Sequence, residues 1–199
     1  MRMPPALRNR ETHGRWPWGS AAAAVPSTVA VYVARERLGR DGQWALWLPL
    51  PVLFWHQTEE WVIPGGFLPW FNREVTGSGE DEFPITRGLG LFINTQIGWT
   101  LTLLGAVLGR KHPAIPAVVL SMDVGNAALH AGELIRSRSY NPGSATGSLL
   151  MLPLGVAGIV RLIRDPEVET KQVLKGVAIG IAGSIAMMVV MKARLRLRR

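Results

Sequence analysis

The sequence contains no cysteine among its 199 residues. This absence excludes disulfide bonds, iron–sulfur clusters, thiolate zinc sites and cysteine nucleophiles. Charged residues are also scarce, at 18% of the chain, whereas hydrophobic residues make up 48%. Soluble domains carry about 25% charged residues, so this composition indicates a membrane protein.

The charge that is present is mostly positive, with 22 Lys and Arg against 14 Asp and Glu and a net charge of +8. In a nucleic-acid-binding protein such residues would gather in one patch or along one helix face. Here they lie at the two termini and in short breaks between apolar runs, which is typical of anchoring at anionic headgroups. We therefore expect the lipid bilayer as a partner and no nucleic acid.

Six apolar segments approach the roughly 20 residues that span a bilayer. They cover residues 17–34, 43–63, 88–108, 114–135, 144–163 and 173–191. The sequence predicts an all-α, polytopic integral membrane bundle of about six transmembrane helices. It forms one domain over residues 1–199, with basic tails at 1–16 and 192–199.

An even number of helices places both termini on one side of the membrane. That side carries 13 of the 22 Lys and Arg residues, which predicts a multi-pass protein of the cell membrane with cytoplasmic termini. The longest connection, residues 64–87, holds Phe67, Trp70 and Phe71 and predicts an interfacial loop with aromatic anchors.

Two of the six segments hold most of the ionisable residues, which are costly in a membrane and usually functional. The second segment contains His56-Gln57-Thr58-Glu59-Glu60. Residues at i, i+3 and i+4 share a helix face, so His56, Glu59 and Glu60 are predicted to act together.

The fourth segment carries a second polar stripe, and the third segment adds Asn94. The stripe consists of Asp123, Asn126, His130 and Glu133, which project within about 80° of one another on a helix. Loops that alternate between leaflets would bring these groups and the His56 cluster to one cavity. Interhelical hydrogen bonds that hold the bundle together are the structural alternative.

The pentapeptide from His56 to Glu60, with the downstream Asn126 and His130, resembles the HXXEE-domain membrane proteins of bacteria over roughly residues 44–153. Size, helix number and embedded carboxylates also look like the small membrane-bound terpene cyclases of actinobacterial indole-terpenoid pathways of the drimentine type. That second resemblance implies that Glu60 and Asp123 are catalytic acids.

Proton chemistry on an apolar substrate fits these residues, because a carboxylic acid in a low dielectric has a raised pKa and can protonate an alkene or epoxide. Aromatic faces stabilise the resulting carbocations, and 11 of the 15 aromatic residues lie between positions 44 and 99. The aromatic residues predicted to line the pocket are Trp55, Trp61, Trp99 and Phe92.

These observations predict a protonation-initiated terpene cyclase that acts on a prenylated, farnesyl-type and indole-linked substrate, without cofactor or metal. No aspartate-rich DDxxD or DxDD string occurs, which argues against ionisation of a diphosphate. Two alternatives stay open. One is a zinc or iron hydrolase or isomerase that uses His56, Glu59 or Glu60, His130 and Glu133; the other is a small-molecule transporter.

Overall fold

The computed structural model describes residues 14–38 and 43–198, and every regular element in these ranges is a helix. Most of the predicted basic tail at 1–16 lies outside the described residues. The helices are α1 (Trp16–Ala34), α2 (Pro49–Trp61), α3 (Phe67–Trp70), α4 (Arg87–Leu108), α5 (Ala114–Ser137), α6 (Ser144–Arg164) and α7 (Thr170–Arg196). Helices α4 and α6 contain π-helical turns, over Phe92–Trp99 and Gly147–Met151.

Four of these helices, α4 to α7, are long and apolar enough to cross a membrane. The chain is therefore a membrane protein, and the predicted all-helical bundle is confirmed. The predicted number of six spanning helices is only approximate, because α1 does not reach the mean hydropathy required of a membrane span and α2 is only 13 residues long. The segment predicted at 43–63 divides into a short 3₁₀ turn, Gln43–Trp47, and α2, which starts at Pro49.

The end of the last helix also differs from the prediction. Helix α7 continues to Arg196, so most of the region predicted as a basic tail from residue 192 is helical. Its lysine and arginine side chains are therefore held on a rigid helix above the apolar part of the bundle.

Small residues set the packing of the spanning helices. Helix α7 runs parallel to α5, since Gly176 lies against Ala114 and Ala117 and Gly180 lies against Val118 and Ser121. Helix α6 returns antiparallel on α5, where a Cβ atom at Gly155 would lie 2.6 Å from Val124 Cγ2. Because lipid removes the hydrophobic drive between helices, such close backbone approach supplies much of the packing energy.

The long connection before α4 folds inward over one end of the bundle. Asn72 organises it: its side-chain amide donates to the carbonyls of Asp81 and Ile85, and its Oδ1 accepts from the Ile85 amide. Phe71 is only 1% exposed and packs with Ile85 and Met191. Of the predicted aromatic anchors, Phe71 is therefore turned inward, because the connection closes on α7.

A methyl group at the α5–α7 contact should destabilise the protein. In the Gly176→Ala variant the added Cβ would meet the Ala114 carbonyl oxygen and the Ala117 methyl, and overpacking of this kind costs about 1–3 kcal/mol. Gly183→Ala is the matched control on the same helix, because nothing lies within 4 Å of a Cβ there. Thermal unfolding in detergent should show a lower midpoint for Gly176→Ala alone; equal midpoints in the two variants would contradict this packing.

Candidate metal centre

Two imidazoles and one carboxylate meet at the end of the bundle that the long connection covers. Glu60 Oε1 lies 3.3 Å from His56 Nε2 and 3.2 Å from His130 Nε2. All three side chains are buried, at 6% exposure or less. His56 and Glu60 stand one helical turn apart on α2, whereas His130 comes from α5, so the cluster joins two helices.

Hydrogen bonds on the far side of each ring fix the imidazole tautomers. His130 Nδ1 lies 2.7 Å from Asn141 Oδ1, and the Asn141 amide nitrogen donates to the His130 carbonyl, so Nδ1 must carry the proton. His56 Nδ1 lies 2.9 Å from Thr146 Oγ1, whose own proton goes to Glu59. In the neutral imidazoles both Nε2 atoms are therefore deprotonated. The His130 lone pair faces Glu60 Oε1, whereas His56 Nε2 accepts a hydrogen bond from the Asn126 amide at 2.8 Å.

The two distances to Glu60 Oε1 fit a shared cation as well as the hydrogen bond from His130. Charge-assisted N–H···O⁻ bonds are about 2.7–2.9 Å long, shorter than the 3.2 and 3.3 Å found here. Metal bonds of about 2.0–2.1 Å at tetrahedral angles put neighbouring ligand atoms about 3.3 Å apart. His56, Glu60 and His130 each offer one ligand atom, and these atoms lie within 4.8 Å of one another.

Glu59 points away from this cluster and anchors the start of α6. Its carboxylate accepts hydrogen bonds from the Ala145 amide, the Thr146 amide and hydroxyl, and the Tyr140 hydroxyl. Burial and the neighbouring Glu59 carboxylate raise the pKa of Tyr140, which keeps the phenol protonated. Thr146 thus links Glu59 to His56 and holds the ring in its orientation, as carboxylates behind metal-binding histidines do.

The walls of the cluster leave little room for movement. Trp70 stacks on His130 with ring centroids 5.1 Å apart and planes at 18°. On the other side stands Gly143, with φ of +102°, where a Cβ would lie 2.6 Å from one His130 ring carbon and 2.9 Å from a His56 ring carbon. Only glycine meets both the backbone and the space requirement at this position.

A large cavity of about 810 Å³ adjoins the cluster. Most of its lining is apolar, and its polar lining groups include Glu60, Asp123, Asn126 and Asn94. Asp123 lies two helical turns before His130 on α5, which is about 10 Å along the axis. The predicted shared cavity for Glu60 and Asp123 therefore exists, with Asp123 at a deeper level than the cluster.

The structure brings together some of the predicted site residues and leaves others apart. Asn126 joins the cluster, with its amide nitrogen 2.8 Å from His56 Nε2. Glu133 stays outside it and pairs with Arg136. Of the four predicted aromatic residues, Trp61 lines the cavity and donates to Glu60. The other three face elsewhere: Trp55 binds Thr28 on α1, Trp99 binds Gln57, and Phe92 is 43% exposed.

Several residues of the site were not predicted. The connection from α5 to α6 supplies Asn141 and Gly143, and the first turn of α6 supplies Thr146. The sequence Asn141-Pro142-Gly143 is typical of a turn. Gln57 lies inside the pentapeptide and ties three helices together through Ser20, Trp99 and Asn94. Hydropathy gave no indication of these contacts, because they depend on which helices are neighbours.

Replacement of Glu59 should destabilise the fold far more than replacement of Glu133. Glu59→Gln removes the charge that four donors share, and each hydrogen bond to a charged group is worth about 1.5–3 kcal/mol. Glu133→Gln breaks only an ion pair with an exposed arginine, worth at most about 1 kcal/mol. Denaturant titration in micelles measures both variants, and equal losses of unfolding free energy would refute the anchoring role.

Comparison with known proteins agrees with the pentapeptide. No curated protein and no solved structure matches the chain, so the resemblance to membrane terpene cyclases gains no support. A family model described as a protein of unknown function with an HXXEE motif matches residues 47–157, which is more than half of the chain. Its motif falls on the histidine and the two glutamates that build and anchor the cluster, and the protein belongs to the HXXEE family.

Proposed function

We propose that the protein is a membrane-embedded, metal-dependent hydrolase whose His56, Glu60 and His130 bind one divalent cation. The observation that supports this proposal is the approach of two buried Nε2 atoms to one carboxylate oxygen, at 3.3 and 3.2 Å. Without a cation or a proton between them, the His130 lone pair and the Glu60 carboxylate repel one another in a buried site. A metal ion would remove that repulsion and would take the place of the Asn126 amide on His56 Nε2.

The ligand set favours zinc, with iron as the second choice. Two imidazole nitrogens and one carboxylate oxygen are a common catalytic zinc set that leaves a fourth position open, and the same three groups occur in non-haem iron sites. A zinc ion in such a site supplies an activated water as the nucleophile. Glu60 lines the cavity, so the open position can face a bound substrate.

The remaining residues of the site hold the ligands and shape the pocket. Thr146 and Asn141 keep each Nε2 deprotonated and aimed inward. The apolar cavity favours an apolar or amphiphilic substrate over a water-soluble one. The cluster itself is buried, so the water that hydrolysis consumes would reach it through the adjoining cavity, which Glu60 lines.

A protonation-initiated terpene cyclase is the second candidate, and the position of Asp123 is the observation that favours it. Asp123 is 8% exposed, shares the cavity with Glu60 and makes no hydrogen bond to another described residue. An isolated carboxylic acid beside an apolar ligand can deliver a proton to an alkene or epoxide. Trp61, which also lines the cavity, would then stabilise positive charge.

We expect purified protein to contain close to one zinc or iron per chain. Alanine at His56 or His130 should remove most of it, since each substitution deletes one of three ligands. His112→Ala is the matched control, because His112 is exposed between α4 and α5. Elemental analysis of metal per chain measures the result, and full metal content in both ligand variants would contradict the proposed centre.

The same preparations distinguish the two candidate functions. If the protein is a cyclase, chelator-treated protein should still convert a farnesylated indole into cyclic isomers of unchanged mass. Asp123→Asn should then reduce turnover by about 10²–10⁴-fold with its metal content unchanged. If the protein is a metal-dependent hydrolase, chelation should abolish its activity, and cyclic products should be absent from the wild type.

We also propose that the protein spans the cell membrane several times with both termini in the cytoplasm. The excess of Lys and Arg on the terminal side supports this orientation. Single cysteines can test it, because the chain has none of its own. A cysteine at Ser139 should react only from the cytoplasm and one at Gln172 only from outside; the reverse pattern would invert the topology.

A further inference from the structure

The cavity is long and follows the parallel pair α5 and α7. On α7 its lining extends from Val177 to Lys192, which corresponds to about 22 Å of helix. The contacts between α5 and α7 show which residues of the two helices lie at the same height in the bundle. Gly176 lies beside Ala114 and Ala117 near one end, and Gly180 lies beside Val118 and Ser121 one turn further on. The same offset along the parallel pair places Lys192 near the level of His130 on α5.

Lys192 differs from its basic neighbours on α7. Arg194 donates to the Pro84 carbonyl and Arg198 pairs with Glu80, so both hold the long connection against α7. Lys192 is exposed, lines the cavity and has no ion-pair partner among residues 14–38 and 43–198. Its ammonium group is therefore available to an anion at the mouth of the cavity.

The side of the cavity is open toward lipid. Ile181 and Ile185 line it and are nevertheless 49% and 59% exposed on the outer surface of the bundle. On the opposite wall, Ile93 and Ile97 belong to α4. Helices α4 and α7 each pack on α5 and not closely on each other, so a chain in the bilayer can enter between them.

We propose that the ligand of this cavity is a single-chain lipid with an anionic head, whose chain enters between α4 and α7 and whose head binds Lys192. The inference deepens the proposed function and rests on it for the reaction. A head on Lys192 would place the first part of the chain beside His56, Glu60 and His130. The length of the cavity along α7 fits an extended acyl or isoprenyl chain better than a compact ring system.

Binding to metal-free protein tests this proposal. Chelator-treated protein in zwitterionic nanodiscs is titrated with radiolabelled hexadecyl phosphate, palmitate or hexadecanol. We expect saturable binding of one hexadecyl phosphate per chain. The Lys192→Gln variant should bind it about tenfold more weakly or worse, because a hydrogen bond to a charged group is lost. Palmitate should behave like the phosphate if any anionic head suffices, whereas a phosphate-specific site would leave palmitate as weak as hexadecanol.

Two matched variants complete the experiment. Lys175→Gln removes an exposed lysine near the other end of α7 and should leave binding unchanged. Ile185→Trp fills the lateral opening and should abolish saturable binding of every probe. Equal losses in the two lysine variants, or full binding in Ile185→Trp, would overturn the proposal. Since metal is absent throughout, these results are independent of whether the metal centre itself is correct.

Discussion

The arrangement of this protein depends on one buried carboxylate, Glu60, whose Oε1 lies 3.3 Å from His56 Nε2 and 3.2 Å from His130 Nε2. A neutral His130 would turn a lone pair toward this carboxylate, so the contact needs a cation or a shared proton, and each ring is held from behind. Helix α2 provides one ring and the carboxylate, and helix α5 provides the second ring. The connection to α6 and the first turn of α6 provide the partners of the two Nδ1 atoms. The surrounding helices hold α2, α5 and the start of α6 at the positions that the cluster requires.

Polar groups at membrane depth are costly, and the fold limits that cost in two ways. It satisfies the anchoring carboxylate of Glu59 completely, with four donors, and it covers the cluster with the long connection, whose Phe71 and Ile85 are almost fully buried. The glycine contacts of α5 with α6 and α7 then bring the cavity-lining backbones close enough to enclose a chain.

Much of this fold can be predicted from the sequence, because the period of the apolar and polar residues indicates the helices and their faces. The helical class, most helix limits and the pairing of His56 with Glu60 follow from hydropathy and the i, i+4 rule. The same period explains the aromatic residues that miss the cavity: Trp55 lies about 140° from Glu60 on α2 and faces α1. Closeness in sequence to Glu60 does not place Trp55 on the same helix face. The role of Glu59 was not readable, because it depends on α6 as a neighbour.

X-ray absorption at the metal edge of the purified protein tests the central claim most directly, because it reports the atoms bound to the ion. If His56, Glu60 and His130 form the centre, the spectrum should show multiple scattering from two imidazoles and light-atom neighbours at about 2.0–2.1 Å. A Glu60→Gln variant should keep the imidazole signal and change the oxygen shell. A metal without imidazole scattering would contradict the account.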